Sequence, residues 1–123
     1  MTASSSEPLH QKTCQACQAG APQVTDQEAE TLLNTLPGWS IIDTSGTKQL
    51  IGVFKFKNFV AALDFTNKVG EEAEKENHHP EIRTEWGKTT VLWWTHKIHG
   101  LHMNDFVMAA RTSQIYQRST TKE

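Results

Sequence analysis

Seven residues have the types and spacing that could do chemistry: Glu74, His78, His79, Pro80, Trp86, His96 and Asp105. The run Glu76-Asn77-His78-His79-Pro80-Glu81-Ile82 sets two histidines side by side against a proline. Adjacent histidines rarely serve packing, because neighbours point in different directions in either regular structure. Imidazole is the side chain that exchanges protons most freely around neutrality, so His78, His79 and a third ring at His96 could offer an acid and a base to one small substrate without a metal. Glu74 lies one helical turn before His78, where it could orient the ring and fix its tautomer, and Asp105 follows His96 beyond a short loop. Such a set suits proton shuttling. A plainer role is also open to His79, which precedes Pro80 and could cap a helix by bonding its last carbonyls. His96, His99 and His102 recur every third residue as metal ligands can, but that spacing crosses a strand end and a turn at Gly100, so it does not put them on one side; His99 and His102 read as surface loop residues. Trp86, Trp93 and Trp94 read first as core or interface, with one ring edge able to floor a pocket for a flat heterocycle.

The elements that must position these residues are legible from caps and periodicity. Thr25-x-x-Glu28 is a capping box that opens a helix whose apolar stripe is Ala29, Leu32, Leu33 and Leu36, stopped by Pro37-Gly38. Trp39 to Asp43 and Leu50 to Lys57 read as strands joined by a turn at Thr44-Ser45-Gly46. Asn58 caps a long helix buried along Ala62, Phe65, Val69 and Ala73. Pro80 fixes its end, because the residue before a proline is driven out of the helical region. Glu81 to Trp86 and Lys88 to His96 form a second hairpin about Gly87, and a last helix starts at Asn104 or Asp105 and buries Phe106, Ala109, Ala110 and Ser113. The expected fold is α+β in the order α-β-β-α-β-β-α, a four-stranded antiparallel sheet with three helices packed on one face. Residues 1–24 read as an N-terminal arm, 25–118 as the domain and 119–123 as a tail. The last strand is apolar on both faces, Val91 and Trp93 on one, Leu92 and Trp94 on the other, which implies that the second face is also covered and that the chain forms a homo-oligomer.

At 123 residues the chain suits one domain. Twelve basic against fourteen acidic side chains leave a formal charge of -2, which offers no electrostatic footprint for nucleic acid and favours a small ligand or a protein partner. No apolar run reaches the roughly 20 residues needed to span a bilayer, and the first residues lack a secretory signal's apolar region, so a cytoplasmic protein is expected. Cys14 and Cys17 make a single C-x-x-C, with His10 upstream as a possible third metal ligand. No second cysteine pair follows, and Gly20, Ala21 and Pro22 replace the helix a thioredoxin-type motif needs. The arm is expected to be chemically idle.

Taken together, Glu74-x-x-x-His78-His79-Pro80, the aromatic Trp86, His96 and Asp105 resemble the pterin-4a-carbinolamine dehydratases, also called 4a-hydroxytetrahydrobiopterin dehydratases. The likeness runs from about Thr25 through the C-terminal helix and includes Gly38-Trp39 and the stretch from Thr95 to Phe106. The resemblance implies dehydration of 4a-hydroxytetrahydropterin to quinonoid dihydropterin for an aromatic amino-acid hydroxylase. It implies no metal, no organic cofactor, and assembly as a homodimer or homotetramer. By that likeness His78 and His96 are general acid and base, His79 mainly holds the substrate, Glu74 and Asp105 orient or charge the histidines, and Pro80 and Trp86 shape the pocket. The chain departs from the animal pattern at Asn77, where an aspartate is common, and at Asn104, where a basic residue can precede the aspartate. Animal relatives also act as dimerisation cofactors of a homeodomain transcription factor, and related chains have been linked to molybdopterin pathways, so a protein-binding module and a different pterin protein are the alternatives.

Overall fold

The computed structural model describes residues 23–98 and 100–121. The chain runs α1 (Asp26–Leu33), β1 (Trp39–Thr44), β2 (Thr47–Lys55), α2 (Phe59–Glu76), β3 (Glu81–Glu85), β4 (Lys88–Trp93), a single 3-10 turn (His96–Ile98) and α3 (Met103–Thr121). The expected order α-β-β-α-β-β-α is the one observed, and all four strands pair antiparallel in the spatial order β1-β2-β4-β3.

Local chemistry explains where most elements begin and end. At α1 the capping box is complete, with Thr25 N–H donating to Glu28 Oε1 and Glu28 N–H to Thr25 Oγ1. The helix stops at Leu33, and Leu36 of the expected stripe is buried in the turn that follows. Asn58 accepts from Ala61 N–H at 2.8 Å to start α2. Asn77 ends it in the left-handed region at φ 53 and ψ 41, a conformation asparagine tolerates because its short amide bonds the local backbone.

The largest difference from expectation is at β4, which stops at Trp93 and not at His96. Glu81, the first residue of β3, already stands opposite Leu92, and Pro80 before it has no N–H to extend the ladder. The chain beyond instead closes on itself. Thr95 forms an antiparallel bridge with Gly100, and His96 enters the 3-10 turn between them.

The core lies between one sheet face, bearing Leu50, Phe54, Val91 and Trp93, and the helix residues Phe65, Val69, Ala73, Phe106 and Ala109. Trp39 lies across Gly52, where a Cβ would come within 2.9 Å of three atoms of the indole, and its Nε1 donates to Ser113 Oγ of α3. Arg111 of α3 bonds both Glu72 and Glu76 of α2 at 2.8 Å, joining the two long helices. On the opposite sheet face Leu92 is buried while Val53 is 48% exposed. None of the described helices is long and apolar enough to cross a membrane.

Candidate active site

Two carboxylate–imidazole couples form where α2 hands over to β3. The left-handed step at Asn77 breaks the helical progression, so His78 and His79 leave α2 in different directions. His78 turns inward and is buried, and its Nε2 lies 2.7 Å from Oδ1 of Asp105. His79 turns outward, and its Nε2 lies 2.9 Å from Oε1 of Glu74, both side chains remaining more than half exposed. The helical spacing pairs Glu74 with His78, but the structure gives Glu74 to His79. The i to i+4 relation presumes an unbroken helix, and the helix ends at Glu76, two residues before His78.

Asp105 is fully buried and is held on both oxygens. Oδ2 accepts from Thr95 Oγ1 at 2.8 Å and from His102 N–H at 2.9 Å, while Oδ1 meets His78. The bond to His102 N–H is one half of a capping box, in which the third residue of a helix reaches back to the residue before its start. The carboxylate therefore begins α3 and orients an imidazole together. His78 is further fixed by Trp93, with ring centroids 5.6 Å apart and planes 7° from parallel. Trp93 is itself anchored by its Nε1 donating to Thr112 Oγ1 at 3.0 Å.

His96 is exposed on the 3-10 turn and stacks on Trp94 at 4.5 Å and 18°. It is the chain neighbour of Thr95, whose hydroxyl reaches Asp105, so its backbone is tied to the His78 couple. Among the described residues no hydrogen bond links His96 to His78 or His79. Pro80 is half-buried at the entry to β3. Trp86 is not brought to this corner within one chain: it is 73% exposed at the β3–β4 turn. The length of β3, about 13 Å from Glu81 to Glu85 at roughly 3.3 Å per residue, separates it from the histidines.

The expectation that His102 is a surface loop residue is corrected, since it is 2% exposed; its place at the start of α3 carries it into the interior. His99 and the His10, Cys14 and Cys17 set lie outside the described residues. Among the described residues no three His, Cys, Asp or Glu side chains are grouped to hold a metal ion. Thr95 and Trp93 were not singled out as supports of the site by sequence reasoning; the signal that could have found Thr95 is its place directly before His96 at the mouth of a short loop.

The sequence model described as "Pterin 4 alpha carbinolamine dehydratase" matches residues 22–115. The chain belongs to the pterin 4 alpha carbinolamine dehydratase family. A Marinobacter nauticus protein named "Putative pterin-4-alpha-carbinolamine dehydratase" is 61% identical over 108 residues, covering 88% of this chain and 97% of the relative. A Saccharophagus degradans protein of the same name is 55% identical over 109 residues, covering 89% and 96%. The crystal structure of a transcriptional coactivator/pterin dehydratase from Brucella melitensis superposes with a TM-score of 0.70 at 30% identity, covering 77% of this chain and 99% of that one. As a pterin-4-alpha-carbinolamine dehydratase the chain is a hydro-lyase, and the resemblance first read from the histidines, Pro80 and Asp105 is the family relationship found.

Proposed function

We propose that this dehydratase removes water from 4a-hydroxytetrahydropterin with His78, His79 and His96, using His78 and His96 as general acid and base. The observation that carries this reading is the 2.7 Å contact between His78 Nε2 and the fully buried Asp105. A carboxylate sunk beside an imidazole holds the ring in one tautomer and stabilises the imidazolium that forms when it takes a proton. The chemistry needs two proton movements. One imidazole protonates the hydroxyl on C4a so that the C–O bond breaks and water leaves. The N5 lone pair forms the new N5=C4a bond, and the second imidazole takes the proton from N5, giving quinonoid dihydropterin. His78 and His96 exchange these tasks according to which pterin face bears the hydroxyl.

His79, exposed and steadied by Glu74, holds the substrate, with Pro80 bounding the pocket and Asp105 supporting His78. Trp86 contributes to a pocket only if a second copy brings it there, which agrees with assembly as a homodimer or homotetramer. Exposed Phe59, Val60 and Leu63 on α2 and Val53 on the sheet add apolar surface for such assembly. The product is reduced and reused by an aromatic amino-acid hydroxylase in the cytoplasm. A protein-binding role is the second reading, since the Brucella melitensis protein is named a transcriptional coactivator as well as a pterin dehydratase.

The test is stopped-flow ultraviolet absorbance on 4a-hydroxytetrahydropterin with His78→Ala, His79→Ala and His96→Ala. His78→Ala and His96→Ala are each expected to slow carbinolamine decay by about 100-fold or more, within the range for lost acid–base groups. His79→Ala is expected to raise KM more than it lowers kcat. Turnover like the wild type in both His78→Ala and His96→Ala rejects the assignment.

A further inference from the structure

Thr95 has no part in the reaction as described above, yet its side chain meets the one carboxylate on which His78 depends. Its Oγ1 donates to Asp105 Oδ2 at 2.8 Å, and the same oxygen accepts His102 N–H at 2.9 Å. Asp105 has no solvent exposure, so its oxygens are satisfied by protein donors. A partial turn of the carboxylate about its Cβ–Cγ bond would break both Oδ2 contacts, and a half-turn only exchanges two equivalent oxygens. Oδ1 is therefore presented to His78 in a single orientation, and an ionised carboxylate can only accept. His78 must answer with an N–H on Nε2, which leaves Nδ1 as the lone-pair nitrogen of the neutral ring.

The backbone of Thr95 is fixed at the same time. Its N–H donates to Gly100 O at 2.9 Å, and Gly100 N–H and Ile98 N–H donate back to Thr95 O at 3.4 and 3.3 Å. These bonds close the short loop that carries His96. One residue thus ties down both imidazoles to which the acid and base roles were given, one through its side chain and one through its main chain.

We propose that Thr95 is a positioning residue for the dehydration, its hydroxyl fixing the Asp105 carboxylate so that His78 is held as the Nε2–H tautomer with Nδ1 as the nitrogen that exchanges protons. This rests on the assignment of His78 as an acid–base group. Thr95→Val matches the shape without the hydroxyl, and Thr95→Ser keeps the hydroxyl without the methyl group.

The experiment measures the ring 15N chemical shifts of His78 by long-range proton–nitrogen correlation, alongside kcat and KM, in the full chain of each variant. Thr95→Val leaves Oδ2 with the His102 N–H alone, so the carboxylate is freer to turn Oδ1 away from His78. The variant is expected to give His78 a mixture of the two tautomers and to lower kcat about 10-fold, the lower end for loss of an outer support, with KM within about two-fold. Thr95→Ser is expected to restore both the tautomer and kcat, and it remains informative if the valine variant does not fold, because a serine variant with a mixed tautomer contradicts the proposal. A Thr95→Val protein that keeps the single Nε2–H tautomer overturns it, whatever happens to the rate. A mixed tautomer with undiminished kcat shows instead that the hydroxyl orients His78 but that His78 is not the proton-exchanging group, which removes the role assigned to that histidine.

Discussion

The imidazole of His78 lies flat against the indole of Trp93, with centroids 5.6 Å apart and planes 7° from parallel. Offset stacking of this kind fixes the plane of the smaller ring, and the contact to Asp105 fixes its rotation within that plane. Replacing Trp93 by Phe keeps an aromatic face but removes the indole N–H that Thr112 Oγ1 accepts at 3.0 Å. Trp93→Phe is expected to lose about 1–3 kcal/mol of stability from the smaller ring and the lost bond. Urea denaturation measures that loss, and the variant should keep more activity than any change at Asp105.

Asp105→Asn keeps the shape and removes the charge. The amide oxygen takes the two donors at the Oδ2 position, Thr95 Oγ1 and His102 N–H, which turns the amide NH2 toward His78 Nε2 and drives that ring to the opposite tautomer. The expected cost in stability is about 1 kcal/mol, the difference between hydrogen bonds to a charged acceptor and to a neutral one. Turnover should fall further than thermal stability, and an Asp105→Asn protein with undiminished turnover contradicts the part given to the carboxylate in setting the His78 ring.

Glu74→Gln tests the outer couple, where both side chains are more than half exposed. Exposed ion pairs contribute little because solvent screens them. Melting temperature should be unchanged within error, while KM for the pterin rises if the couple holds the substrate. A large drop in stability shows that Glu74 has a second, structural partner.

Asn77 sits at φ 53, where a β-carbon meets the following carbonyl. Asn77→Ala is expected to cost about 1–2 kcal/mol, the general penalty for the left-handed region, while Asn77→Gly should be close to neutral. Comparing the two by urea denaturation separates backbone strain from loss of the amide.

Gly52→Ala forces a methyl group into the Trp39 ring, three of whose atoms lie at 2.9 Å from the added carbon. The neighbour is a buried ring and not a flexible tip, so the expected cost is about 1–3 kcal/mol from overpacking. Chemical denaturation followed by tryptophan fluorescence reads both the stability and the displaced indole.

Where one residue type answers one local physical demand, the fold was legible from sequence. Thr25 with Glu28 and Asn58 marked helix starts because each satisfies unpaired backbone N–H groups. Pro80 marked the exit of α2 because it forbids helix before it. The end of β4 was not legible, because Trp93, Trp94 and Thr95 continue its strand propensity, while the register that sets Glu81 opposite Leu92 and the pairing of Thr95 with Gly100 are tertiary facts. The histidines were legible as a set but not their partners. Counting four residues from Glu74 to His78 assumes a helix that the left-handed Asn77 has already stopped. The burial of His102 depends on where α3 docks, which the loop's own composition does not record.

Because one carboxylate both begins α3 and steadies His78, the inner couple is welded to the scaffold, and variation there carries a folding penalty. The outer couple of His79 and Glu74 bears no such debt to the interior. Adaptation of this enzyme to pterins with different substituents is therefore expected to accumulate at the rim, among exposed residues free to drift, while the hidden half of the site stays as it is.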